Sequence, residues 1–229
     1  MFGYCYEYGE GVAKDLAKAA EWYRKSAEQG NATAQYTLAI FYKNGYGVTQ
    51  NKAEAAKWYK KAAEQGDANA QNSLGYCYDH GEGVEKNSAK AVEWYERAAE
   101  QGNKFAQYNL GLCYEYGDGA TKDLGRAAEW YRKSAEQGYA VAQYKLGRCY
   151  QYGDGIEHDC QKAVEWYRKS VEQGCAMAQC DLGNCYRQGH GVEKNLEKAV
   201  EWYRKLRSRA MIEDSSVWLA AMKTEKVCR

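Results

Sequence analysis

Five cysteines, Cys5, Cys77, Cys113, Cys149 and Cys185, fall at one position of a repeating pattern, and Phe41 occupies the same position once. Thiols in such a row could serve as a redox ladder. A small apolar core slot selects the same residue type, because a free cysteine packs as a small hydrophobe, and the interchange with Phe41 favours that slot. Cys175, Cys180 and Cys185 form a second group. A spacing of five turns successive side chains about 140° around a helix, so one helix cannot aim all three at one ion, and structural zinc takes four ligands at tighter spacing. His158 and Cys160 have the residue types of a thiolate–imidazole pair. Yet His158 aligns with Lys14, Lys86 and Lys122, which marks an exposed loop slot and a surface histidine. His80 and His190 lie in loops three repeats apart and do not cooperate. The loops at Glu10, Glu82, Asp118 and Asp154 read G-[ED]-G, without the alternating carboxylates of a calcium loop or the G-K-[ST] of a phosphate loop. No metal and no cofactor is expected.

These residues are carried by a strict 36-residue repeat. Trp22, Trp58, Trp94, Trp130, Trp166 and Trp202 are each followed by Tyr; Gly-x-Gly pairs such as Gly45/Gly47 and Gly81/Gly83 keep the same step; and Gln-Gly closes each unit, as at Gln65-Gly66. Within one period, Ala34, Leu38, Ala39, Phe41 and Tyr42 predict a helix over about 32–44, ended by Gly45 as a left-handed cap. Ala55, Ala56, Tyr59, Ala62 and Ala63 predict a second helix over about 52–65. Asp15, Asn51, Asn87, Asp123, Asp159 and Asn195 precede the second helices and suit their N-caps. Recurrent alanines allow close helix approach, and the Tyr rows containing Tyr42 and Tyr59 supply buried area. Val12, Val48, Val84, Ile156 and Val192 are expected to tuck loops into the core. Glu93–Arg97, Glu129–Lys133, Glu165–Lys169 and Glu201–Lys205 are expected as i, i+4 pairs on a solvated face.

Composition agrees with helices. There is no proline, and Gly (23) and Tyr (22) are the punctuation and the aromatic bulk. A net charge of +1 argues against a nucleic-acid partner. No stretch approaches the ~18 apolar residues of a membrane span. Nine cysteines without a recognisable signal segment point to reduced thiols and a cytoplasmic location.

The unit A-x-A-Q-x-x-L-G-x-C-Y-x-x-G-x-G-V, continued by D-x-x-K-A-x-E-W-Y-x-K-A-A-E-Q-G, resembles the Sel-one-like repeat, a relative of the tetratricopeptide repeat. Residues 104–138 show it well: Ala106-Gln107, Leu110-Gly111, Cys113-Tyr114, Gly117-Asp118-Gly119, Asp123, Ala127, Trp130-Tyr131 and Gln137-Gly138. A period of 36, against 34 in tetratricopeptide repeats, supports this assignment, and the likeness covers roughly residues 1–205. It implies an all-α, right-handed α-solenoid of helix-turn-helix repeats whose first helices line a concave face. It also implies an adaptor or scaffold role with a protein or peptide partner. The expected organisation is a truncated first repeat over 1–31, five repeats over 32–211, and a capping helix and tail over 212–229, with Ile212–Met222 forming the cap.

The binding face is expected where first-helix positions vary between repeats. Phe105, Tyr108, Leu112 and Tyr116 make an apolar stripe beside the core stripe of the same helix. Equivalent rows add Tyr36, Ile40 and Tyr76 on one side and Val141, Tyr144, Arg148 and Tyr152 on the other. Aromatic side chains that the core does not use are the material of interface hot spots. Packing between neighbouring first helices is the competing use for each of them. Two alternatives stand beside the scaffold: a self-assembling array, and a thiol-dependent enzyme acting through Cys160 or Cys185, for which the sequence places no base and orienting acid. The chain is expected to be a monomer or to self-associate weakly.

Overall fold

A computed structural model of the protein describes residues 2–210, with side chains to residue 205. The expected cap at Ile212–Met222 and the tail lie outside the described residues. Among the described residues there are twelve helices: α1 (Phe2–Tyr8), α2 (Leu16–Glu28), α3 (Ala32–Asn44), α4 (Lys52–Glu64), α5 (Ala68–His80), α6 (Ser88–Glu100), α7 (Lys104–Tyr116), α8 (Leu124–Glu136), α9 (Ala140–Tyr152), α10 (Cys160–Glu172), α11 (Ala176–Gln188) and α12 (Leu196–Ala210). Two compact units divide between Lys122 and Asp123. The first holds α1–α7 and the second α8–α12. Odd-numbered helices open each repeat and even-numbered helices close it.

Local chemistry sets the helix ends. Each Asx before a second helix accepts an N–H of the first turn: Asp15 from Lys18, Asn51 from Glu54, Asn87 from Lys90, Asp123 from Arg126, Asp159 from Lys162 and Asn195 from Lys198. The first helices have caps of their own. Asn31, Asp67 and Asn103 accept from Ala34, Ala70 and Ala106 at 2.8–2.9 Å. In the second unit that row becomes Tyr139 and Cys175, and neither side chain caps its helix. Restoring the row with Tyr139→Asn or Cys175→Asn is therefore expected to stabilise the second unit by about 1 kcal/mol each. Denaturant midpoints of the two variants against the native chain check this. At the other end, Gly45 ends α3 at φ 75°, the left-handed conformation that frees its N–H to bond Phe41 O.

The core is built from small residues together with the leucines of the first helices and buried tyrosine rings. In the first unit Ala55, Ala56, Tyr59, Ala62 and Ala63 of α4 pack with Ala39, Ala70, Leu74 and Cys77. In the second, Ala163, Val164 and Tyr167 of α10 pack with Ala178, Leu182 and Cys185 of α11. Val84 and Val192 pack their loops against these cores and Val48 packs against Ala19, Ala20 and Phe41, whereas Val12 stays exposed.

The invariant glutamines explain two motifs that periodicity alone leaves unexplained. Gln71 is buried, and its Nε2 donates to Ala63 O (3.1 Å) while its Oε1 accepts from Gln101 Nε2 (2.7 Å). Gln35 does the same with Ala27 O and Gln65, and Gln143 with Ala135 O and Gln173. Each bond pair ties one repeat to the next, so the Ala-Gln and Gln-Gly signatures are two ends of one polar staple, fully satisfied inside an apolar joint.

Candidate functional site

The first-helix positions do not share one fate. In the first unit Tyr36 and Ile40 pack against the core of α4 and α5, with the Tyr36 ring 5.8 Å from that of Tyr59. Burial raises the Tyr36 hydroxyl pKa. Tyr76 is half-buried, stacked on His80 at 4.0 Å and covered by Lys43 Nζ at 4.9 Å. Tyr108 and Leu112 are half-buried. Phe105 and Tyr116, at the two ends of α7, reach solvent at 45% and 62% exposure.

In the second unit Val141 and Arg148 are half-buried and Tyr152 is 58% exposed, with the Arg148 guanidinium 5.3 Å from its ring. Tyr144 is corrected: at 9% exposure it belongs to the core with Tyr167 and α11, and no partner can reach it as a surface ring. The neighbouring helix covers it, which is the competing use the sequence left open.

Beside Arg148 lies a polar cluster that the sequence reading passed over. Where Ile40, Tyr76 and Leu112 stand in other repeats, α9 has Arg148 and α11 has Asn184. Asn184 donates to Asp181 Oδ1 (3.4 Å) and accepts from Arg187 Nη2 (3.3 Å) and the Tyr203 hydroxyl (2.8 Å). Burial raises the Asp181 carboxyl pKa, opposed by Asn184, the Arg148 charge and Tyr144. Arg187 Nε is buried without an acceptor among the described residues, an uncompensated desolvation of the kind that favours an incoming oxygen. The switch of one row from apolar to polar was the available signal.

The remaining candidates resolve as follows. Cys77, Cys113, Cys149 and Cys185 fill the core slot, and burial pushes the Cys77 thiol up to about 11 and those of Cys113 and Cys185 up to about 12. Thiols held protonated in this way are poor nucleophiles. Among the described residues no group of three or more His, Cys, Asp or Glu is placed to hold a metal ion. Glu82 of one G-[ED]-G loop takes Lys52 Nζ at 2.8 Å, a bond between repeats. His158 is exposed, as its alignment with lysines implies, but its Nε2 lies 3.3 Å from Cys160 Sγ. On the second helices Glu201–Lys205 forms at 2.7 Å. In every repeat, moreover, a cation three residues after the tryptophan lies over its indole: Lys25, Lys61, Arg97, Lys133, Lys169 and Lys205, at 3.9–4.6 Å. This spacing covers the indoles.

Comparison with known proteins gives consistent results. The family model described as Sel1 repeat matches residues 2–31, 32–67, 68–103, 104–139, 140–175 and 176–208. A protective antigen of uropathogenic Escherichia coli displaying an SLR fold is 41% identical, with a TM-score of 0.86 over 91% of this chain and 45% of its own. The chain thus spans less than half the length of that protein. A Sel1 repeat protein from Oxalobacter formigenes is 42% identical, with a TM-score of 0.81 over 90% of this chain and 82% of its own. A Sel1 repeat protein from Klebsiella pneumoniae is 26% identical, with a TM-score of 0.53 over 82% and 91%. A search of the curated proteins gives no match. Six matched repeats, covering nearly all of the described helices, settle the family: the chain belongs to the Sel1 repeat proteins, an all-α, tetratricopeptide-like class of helix-pair repeats.

Proposed function

We propose that the chain is a protein-binding scaffold and that the face of its first helices takes an extended or helical segment of a partner. Sel1 repeat proteins generally mediate protein–protein interactions, which sets the class of function. The observation that supports this placement is the exposure of Phe105 and Tyr116 on α7 of the first unit and, separately, of Tyr152 on α9 of the second. Large rings held in water are costly to keep and make effective anchors once a partner covers them. Tyr76 on the first unit, and Arg148 and the Asn184–Arg187 cluster on the second, are half-buried polar and aromatic groups of the first helices of their own units. Tyr36, Ile40 and Tyr144 are left to the core.

The triple variant Phe105→Ala, Tyr116→Ala, Tyr152→Ala tests the placement. Affinity capture from lysate of the source organism, with native chain and variant side by side, is expected to lose the partner at least tenfold in the variant, about 1.4 kcal/mol or more. Circular dichroism is expected to be unchanged, because the three rings are exposed. Equal capture by both chains would remove this face as the site.

A further inference from the structure

We propose that Cys160 is a modification site: a thiol that His158 activates to form a mixed disulfide with a low-molecular-weight disulfide. Cys160 opens α10, is half-buried, and has its Sγ 3.3 Å from Nε2 of the exposed His158. Nucleophile and base are therefore within hydrogen-bond reach, and neither side chain is buried. The core cysteines differ in access. Cys77, Cys113, Cys149 and Cys185 are buried, and burial holds the thiols of Cys77, Cys113 and Cys185 protonated. Asp159, next to Cys160, does not compete for the imidazole, because its carboxylate is engaged by the Lys162 N–H (3.0 Å) and Nζ (3.2 Å).

The position also has a consequence for packing. A Cβ on Gly191 would stand 2.0 Å from the Cys160 carbonyl oxygen, so the loop after α11 closes directly on this end of α10. The same loop is anchored to α11 by the His190 N–H donating to Cys185 O at 3.1 Å. An adduct on Cys160 would sit at the joint between the last two repeats.

The reaction balances without a further component. His158 Nε2 takes the thiol proton as Cys160 sulfur attacks one sulfur of the disulfide. A new S–S bond forms, the reagent's S–S bond breaks, and the departing thiolate recovers the proton. The products are protein mixed disulfide and one free thiol.

The test incubates the full native chain with limiting glutathione disulfide and follows every cysteine by peptide mapping, Cys228 included. Cys160 is expected to react at least about fivefold faster than the half-buried Cys5, Cys175 and Cys180. His158→Ala is expected to remove that lead while leaving the Cys5 rate unchanged, and added imidazole is expected to restore part of it. A Cys160 rate no higher than the other three, or a lead that survives His158→Ala, overturns the proposal. A lead lost in the variant and not restored by imidazole removes the base role and overturns it as well.

Discussion

Replacing Gly83 by alanine is expected to destabilise the first unit by about 3 kcal/mol or more. Gly83 has φ 75°, and a Cβ there would lie 2.1 Å from Lys52 O, 2.4 Å from Lys52 C and 2.8 Å from Ala53 N. All three are backbone atoms at the start of α4, so no side chain can swing away. The left-handed conformation costs an alanine about 1–2 kcal/mol, and forcing two packed segments apart costs about 1–3 kcal/mol more. Gly66 isolates the two terms. It also has positive φ, at 93°, but a Cβ there meets nothing within 4 Å. Gly66→Ala is therefore expected to cost only the conformational part. Denaturant unfolding of the two variants checks the difference, and equal losses would contradict the reading of Gly83 as a contact between repeats. The second glycine of four other loops meets the preceding repeat in the same way, Gly47 at Leu16, Gly119 at Ser88, Gly155 at Leu124 and Gly191 at Cys160, whereas a Cβ on Gly11 would meet nothing within 4 Å.

Tyr167→Ala is expected to cost the second unit about 4 kcal/mol. The ring is fully buried among Ala163, Val164, Ala178 and Leu182. It lies so close to α9 that a Cβ on Gly147 would be 2.6 Å from it. The surrounding alanines are too short to fill the space it would leave. Tyr167→Phe keeps the ring and removes only the hydroxyl bond to Gln151 Oε1, 2.6 Å long, for an expected cost of about 1 kcal/mol. Thermal or denaturant midpoints of the pair are the measurement. A Phe variant as damaged as the Ala variant would place the stability in the hydroxyl instead of the ring.

Periodicity made the fold legible. The helix predicted over about 32–44 is α3 (Ala32–Asn44), and that over about 52–65 is α4 (Lys52–Glu64). Apolar spacing, an Asx before the second helix and a glycine after the first each mark a boundary by their own chemistry, and repetition multiplied a weak local signal. The Asx row before the first helices, Asn31, Asp67 and Asn103, went unread because Tyr139 and Cys175 interrupt it. The candidate face was less legible, since exposure at a first-helix position depends on what the next repeat supplies. Tyr108 and Tyr144 share one row, yet one is half-buried and the other is core. Likewise, alignment with lysines placed His158 at the surface but could not say that its ring turns to Cys160. The charged rows of the second helices were read for i, i+4 pairs, and the i, i+3 contacts of cation with indole were missed because both spacings lie on one helix face.

The most direct test of the scaffold reading is site-specific photocrosslinking to a captured partner. A photoreactive side chain would replace Tyr116 or Tyr152 on the first helices, and Glu129 or Glu165 on the exposed face of the second helices. Crosslinks from positions 116 and 152 with none from 129 and 165 are the predicted result. Crosslinks from 129 and 165 alone would contradict it and move the partner to the second helices.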